Sequence, residues 1–456
     1  MTLQQHSNLV LALARVLFVN GQSTKRTVAA TERLARSLGL DAEVLPRWGE
    51  VQLQVEHQDD KLLSQVAADP TGVNMQRVAA AMKAIEEIQT GQLAPTTAIS
   101  AVEKIAKLPP AATWLFTLAA ASGAAALAVI FGVGHLAPLA LIFLSAAAGA
   151  LVRRALARRT ENIFVQPFCA ALLAGVVGGL AVRFELSSSL RLVAVCPCMV
   201  LVPGPHFLNG ALDLARGRMH LGAARLTYAL LVVVAISAGL LLGLAFLGTS
   251  LPVDPAGKSA TLWQDAIAAG VAVFAYSVFF SAPLKILAWP IGVGVLAHAL
   301  RWLAIAAAGM GVATGALVAC FVVGVIITPV ARRRDMPFAA VAFASVVSLI
   351  PGVYLFRMAS GLVQIASGSG TTPELLSATV SDGMTALIIL LAMSFGLIVP
   401  TMLIEGFLAR QERLQAHRQE SRSPPTLKDM QTCDQTHDIR LPEEPANPLP
   451  PRRSCD

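Results

Sequence analysis

A chain of 456 residues that is 55% hydrophobic and only 14% charged, with a mean hydropathy of +0.64, lies outside the range of soluble globular proteins. Its formal net charge of +7 would suggest nucleic acid in a soluble chain, but the arginines of the middle region fall in short segments between apolar runs, where they act as topology signals. A polytopic α-helical membrane protein remains, with most of the acids in residues 1–108 and 409–456 and no nucleic-acid partner expected.

In residues 7–40 the apolar positions Leu9, Leu13, Val16 and Leu17, then Val28, Leu34 and Leu38, recur at three-to-four spacing around VNGQST, which predicts two packed helices. Arg15 interrupts the first apolar stretch and no small-residue cleavage site follows, so it reads as an amphipathic helix and not a signal peptide. Ser23 or Thr24 is placed to cap the second helix and Gly39 to end it. AEVLPRW and EVQLQVEH alternate as short strands, and helices are predicted over 74–89 and 95–107. Residues 1–108 are expected to form a small α+β domain on the cytoplasmic side. Short catalytic signatures are lacking: there is no HExxH, no metal-spaced Cys/His set and no GxxxxGK[ST] loop, and AGKSA at 256–260 lacks the upstream glycine. Neither enzymatic activity nor a cofactor is expected.

Runs of about 20 apolar residues predict ten spans, near 112–132, 136–152, 162–182, 192–213, 226–247, 263–281, 286–300, 302–327, 338–358 and 380–404. With the N-terminal domain inside, inner loops carry Arg153, Arg154, Arg158, Arg159, Arg216, Arg218, Arg225, Lys285, Arg332, Arg333 and Arg334. Outer loops and ends carry only Arg183, Arg191, Lys258, Arg301 and Arg357. That asymmetry predicts that both termini lie on the cytoplasmic side of the membrane. Glu185 is placed to pair with Arg183 or Arg191.

The fourth span contains LVPGPHFLNGALDL and the ninth LIPGVYLFRMASGL, so Pro203-Gly204 recurs as Pro351-Gly352, each in the fourth span of a set of five. Five is odd, and two tandem five-span units, 109–255 and 256–408, must then lie upside down to one another, the inverted-repeat plan of many secondary transporters. Proline tolerates the first turn of a helix and glycine allows close approach. Each Pro-Gly is expected to begin a half-helix near the membrane midplane, its free N–H groups and positive dipole end facing a substrate carboxylate. Candidate substrate-binding residues are Pro203, Gly204, His206, Asn209, Pro351, Gly352, Tyr354 and Arg357, with Tyr354 matching His206 and Arg357 matching Asn209. Asp213 and Asp382 are candidates for proton coupling, each equally readable as a solvated carboxylate at an interface, and Asp265 has the same ambiguity.

Cys196-Pro197-Cys198 could offer two soft ligands to a metal, but no DKTGT-like motif or nucleotide domain accompanies it, and these cysteines read as small apolar residues. No metal site is expected. Cys169 and Cys320 also lie in apolar runs, and Cys433 and Cys455 in the polar tail, so no disulfide framework is implied.

Gly21, Ser23, Thr24 and Arg26 form a G-x-S-T-x-R segment opening a helix, followed here by Thr27 and Val28 where an acidic residue is common. With the stretch DPTGVNMQRVAAAMKAIEEIQTGQLAPTTAISAVEKI and the Pro-Gly span followed by Asn209, Gly210 and Asp213, the chain resembles the threonine/serine exporter family up to about residue 408. The resemblance implies a ten-span inner-membrane antiporter exporting L-threonine and L-serine on the proton-motive force. Relatives that split the same regions into two subunits imply dicarboxylate export as the alternative; a membrane scaffold is a third reading, disfavoured by the paired breaks. The expected partners are a small amino-acid substrate and the lipid bilayer, with a homo-oligomer left open. Residues 409–456, with SPPT and LPEEPANPLPPRR, are expected to be a disordered cytoplasmic tail.

Overall fold

The computed structural model describes residues 2–57, 60–184, 190–251, 260–334, 336–368 and 372–420. Glu185, AGKSA up to Ser259, and the Pro-rich tail lie outside these residues. The chain divides into Met1–Ile404, which holds every site described here, and Glu405–Asp456.

The N-terminal domain opens with α1 (Leu3–Val19), started by a capping box between Thr2 and Gln5. Leu9, Leu13 and Leu17 are buried on its inner face, each contributing about 1.5–3 kcal/mol. In α2 (Thr24–Ser37), Ser23 holds the N-cap position without a side-chain cap hydrogen bond, and the Thr24 hydroxyl donates to Asp213. Gly39, at φ +76°, ends this helix as expected. Three antiparallel strands follow in the order β1 (Asp41–Arg47), β2 (Gly49–His57) and β3 (Asp60–Ala68). Only two were expected: the adjacent leucines of DKLLSQVAA break the strict alternation that marks a strand, and Leu63 is left exposed. Arg47 pairs with Glu50 across a tight Trp48-Gly49 turn, Gly49 taking φ +90°. The helices α3 (Met75–Gln89), capped by Asn74, and α4 (Pro95–Ala106), with proline in its first turn, match the sequence reading.

The membrane region comprises α5 (Thr113–Ile130), α6 (Leu136–Leu156), α7 (Val165–Arg183), α8 (Leu190–Met199), α9 (Gly204–Ala215), α10 (Met219–Ala245), α11 (Leu262–Phe279), α12 (Ala288–Ala306), α13 (Val312–Arg333), α14 (Phe338–Val346), α15 (Gly352–Ala366) and α16 (Pro373–Glu420). Among the described residues, eight helices are long and apolar enough to cross a membrane. The pairs α8 with α9 and α14 with α15 are bent by 56° and 67° at short breaks, each a broken span or a re-entrant loop, and counting each pair as one span gives up to ten. A 3₁₀ turn, Val347–Leu349, leads from α14 into the second break.

First, α5 and α11 pack antiparallel. Ala111, just before α5, donates its N–H to Ser281, just after α11, while Ile130 at the far end of α5 shares a cavity with Asp265 at the start of α11. Next, α7 and α10 touch backbone to backbone, Gly175 Cα lying so close to Gly243 that a Cβ on either would come within 3.0 Å of the other. The threonine pair Thr328–Thr401, at 3.0 Å, joins α13 to α16.

Among the arginines assigned to loops or span ends, Arg225, Arg301 and Arg357 lie on helices of the bundle. Arg225 is buried in α10 and Arg357 in α15, each paired with an aspartate. Because α12 continues to Ala306 and α13 starts only at Val312, Arg301 is helical instead of occupying the loop expected between 300 and 302. A guanidinium is tolerated at such depth when an opposite charge compensates it.

Candidate binding site at two helix breaks

At the first break Pro203 has φ −84° and ψ 61°, an inverse γ-turn that closes the Gly204 N–H onto the Val202 carbonyl at 2.9 Å. Pro205 has no N–H, and those of His206 and Phe207 both go to the Pro203 carbonyl. The free donors expected at the start of α9 are therefore engaged inside the turn, a geometry that residue types alone do not reveal. The second break closes similarly, with Gly352 N–H on the Ile350 carbonyl at 2.8 Å.

Both glycines serve helix crossing. A Cβ on Gly204 would fall inside the Phe343 ring of α14, and one on Gly352 would lie 2.7 Å from Met199 Cγ of α8. Each second half-helix thus passes over the first half-helix of the other broken span. The approach allowed by glycine is to a neighbouring side chain, where a ligand was expected.

Two cavities open beside these breaks at opposite ends of α5 and α11. One, of about 340 Å³, is lined by Asp265, Arg301, Trp302, Ser348, Pro351 and Tyr354. The other, of about 280 Å³ on the N-terminal-domain side, is lined by Thr71, Arg153, Pro203, His206, Tyr228 and Ser281 among others. Met199, Tyr276 and Phe343 line neither and pack where the breaks cross, the Tyr276 hydroxyl donating to the Met199 carbonyl at 2.9 Å and its ring standing 6.1 Å from Phe343. The gap beside them is about 50 Å³, room for no more than a few waters.

In the domain-side cavity the Arg153 guanidinium lies 4.9 Å from the Phe279 ring centre, and its Nη1 has no hydrogen-bond partner among the described residues. Arg154 is held by the Ala111 carbonyl and the Phe116 ring. His206 meets Tyr228 edge-on at 5.0 Å, and no carboxylate is among the described residues that line the cavity. A half-buried planar cation with an open donor suits a carboxylate. Sequence reasoning placed Arg153 only among the loop charges.

The far-side cavity has a different chemistry. Asp265 Oδ2 lies 2.8 Å from His298 Nδ1, and His298 Nε2 is hydrogen-bonded to Ser348 Oγ. Neither His298 nor Ser348 was singled out from the sequence.

Of the candidates, Pro203 and His206 line the domain-side cavity, and Pro351 and Tyr354 the far-side one. Asn209, Asp213, Arg357 and Asp382 line neither. Asn209 donates to the Gly21 carbonyl at 3.2 Å. Asp213 is 1% exposed, so its reading as a solvated carboxylate is overturned: it accepts the Thr24 hydroxyl at 2.9 Å and lies 3.3 Å from Arg225 Nε and 3.7 Å from Arg218. Asp382, also buried, pairs at 2.9 Å with Arg357, so two groups assigned separate roles are partners. The G-x-S-T-x-R segment docks on the membrane region through Gly21 and Thr24 at α9, and Arg26 donates to the Ala331 and Met336 carbonyls at 2.9 and 3.0 Å. Cys196 and Cys198 are fully buried, the Cys198 thiol facing the Ala194 carbonyl.

Residues 8–247 match the family described as "Putative threonine/serine exporter", and residues 265–403 match a second family model described as "Threonine/Serine exporter". The chain belongs to the threonine/serine exporter family. A relative from Mycobacterium tuberculosis, named "Probable threonine/serine exporter", is 24% identical over 390 residues, covering 81% of this chain and 72% of the relative. No solved structure matches the chain. The two matched segments of this exporter meet between α10 and α11.

Proposed function

We propose that this protein is a secondary active exporter of small hydrophilic amino acids, L-threonine and L-serine, exchanging them for protons across the inner membrane with both termini in the cytoplasm. The observation that carries the reading is the Arg153 guanidinium, its Nη1 without a hydrogen-bond partner among the described residues, in a cavity beside one helix break, with a second polar cavity beside the other break at the opposite end of the bundle. The antiparallel packing of α5 and α11 supports treating the two five-span sets as inverted repeats.

On this reading the substrate enters beside the N-terminal domain. Its carboxylate binds Arg153, while its hydroxyl reaches His206 or Tyr228 and its ammonium group backbone carbonyls. Met199, Tyr276 and Phe343 close the route to the far side. Export requires the half-helices to shift at their crossings, so that the domain-side cavity narrows as the far-side one connects with it.

A dicarboxylate exporter is the second reading, favoured by one observation: among the described residues, the domain-side cavity has Arg153, Arg154 and His206 on its wall and no acid. The test is efflux from cells preloaded with labelled threonine, serine or succinate, with and without an uncoupler. Threonine and serine should leave the cells, more slowly with uncoupler, and succinate should be retained. Export of succinate alone would replace the first reading by the second, and uncoupler-insensitive efflux of all three would reject proton coupling.

A further inference from the structure

We propose that Asp265, His298 and Ser348 form the proton-carrying site of this exporter, and that protonation of His298 reverses the hydrogen bond Ser348 makes at the second helix break. The inference rests on the proton-coupled reading above and names the residues that would perform it.

The three groups come from three elements, α11, α12 and the 3₁₀ turn ahead of Pro351, and all are buried, His298 completely. Asp265 and Ser348 line the far-side cavity, so the cluster adjoins a route for water, and Arg301 and Tyr354 share the same wall. Among the described residues, His298 is the histidine with a carboxylate partner; His206 faces an arginine-lined cavity instead. Imidazole is the side chain whose ordinary titration range spans physiological pH, and the bond made by one ring nitrogen sets the role of the other.

With Asp265 ionised, the ring hydrogen sits on Nδ1 and is donated to Oδ2. Nε2 then carries a lone pair and accepts the Ser348 hydroxyl hydrogen. A proton arriving from the cavity adds to Nε2, giving an imidazolium that now donates to Ser348 Oγ. The Ser348 hydrogen turns away from the ring and becomes available to the cavity, and loss of the proton restores the first arrangement. No other bond forms or breaks. Because Ser348 belongs to the turn that links α14 to α15, the reversal acts at the second break itself, a local change of charge placed where the two helices bend.

The surrounding charges fit a single carried proton. On α12 itself the other ionisable group is Arg301, which interacts electrostatically with Asp265 and Tyr354. Of the elements packed on α12, α11 adds Tyr276 and α13 adds Cys320 with Arg332 and Arg333 at its far end. The turn before α12 adds Lys285, and α14 has no titratable side chain. Asp265 and Arg301 balance when His298 is neutral, and uptake of one proton leaves one net positive charge.

The test uses the full chain in liposomes, with two assays of labelled threonine: efflux under an imposed inward proton gradient, and exchange against unlabelled threonine at equal pH. The native protein should show gradient-stimulated efflux and exchange. His298→Gln and Asp265→Asn should lose the stimulation while exchange continues at a measurable rate. Ser348→Ala, which keeps the Asp265–His298 pair, should shift the pH profile of efflux, and it serves as the readout if the first two fail to insert. His298→Gln or Ser348→Ala with the native gradient response and pH profile would overturn the proposal. So would loss of exchange as well as stimulation in all well-inserted variants, which would make the cluster a structural brace. A native protein that exchanges threonine but ignores the gradient would instead reject proton coupling as a whole.

Discussion

Arg153 continues the buried stripe of α6 made by Ile142, Ala146, Gly149 and Ala150, so its side chain is carried inward at the level of the first break. That periodicity was available in the sequence, but a positive charge at the end of an apolar run is also what a topology signal looks like, and the cavity decides between them. Removing a charged hydrogen-bond partner costs about 1.5–3 kcal/mol, so Arg153→Ala should weaken threonine binding about tenfold to a hundredfold in a transport-concentration series. Arg153→Lys should recover part of it, since lysine keeps the charge but loses the planar fork. At Gly204 the expectation is one of stability. Gly204→Ala should lower the melting temperature of purified protein, overpacking costing about 1–3 kcal/mol, and Phe343→Ala in the same chain should restore most of it. If Gly204→Ala melts normally, the tight crossing is wrong.

Among the elements, both half-helices are tied to the following span by a buried ion pair, Asp213 of α9 to Arg225 of α10 and Arg357 of α15 to Asp382 of α16, with the charges exchanged. These acids and arginines were visible in the sequence as polar groups in apolar surroundings. Their pairing was not, because it depends on which faces of α9 and α10, or α15 and α16, meet. Breaking one partner of a buried pair costs about 3–5 kcal/mol, whereas replacing both by apolar groups is close to neutral. Asp213→Ala should therefore reduce thermal stability far more than Asp213→Leu combined with Arg225→Met; equal losses would mean that the pair is not compensated as described. The double variant still lacks the Thr24–Asp213 bond, so its residual loss measures how firmly the N-terminal domain holds α9. The breaks themselves were legible, since Pro-Gly cannot continue a helix. The γ-turn that consumes the Gly204 N–H, and the third strand hidden by Leu62-Leu63, were not.

For the whole molecule, the alternation of apolar runs and short charged loops made a multi-helix membrane region legible, and the recurrence of Pro-Gly marked the two helix breaks. What composition could not convey is that the polar groups divide between two cavities on opposite sides of Met199, Tyr276 and Phe343, one beside each break. An exporter must open these cavities in turn. The most direct measurement places a single cysteine at Ala157, on the domain-side cavity, or at Ile305, on the far-side one, in a chain freed of native cysteines. Each is labelled with a membrane-impermeant thiol reagent in right-side-out and inverted vesicles, with and without threonine and a proton gradient. Ala157→Cys should react only in inverted vesicles and Ile305→Cys only in right-side-out ones, and threonine with the gradient should change the two rates in opposite directions. Rates that rise or fall together, or labelling of both cysteines from one side, would contradict alternating access through the two breaks.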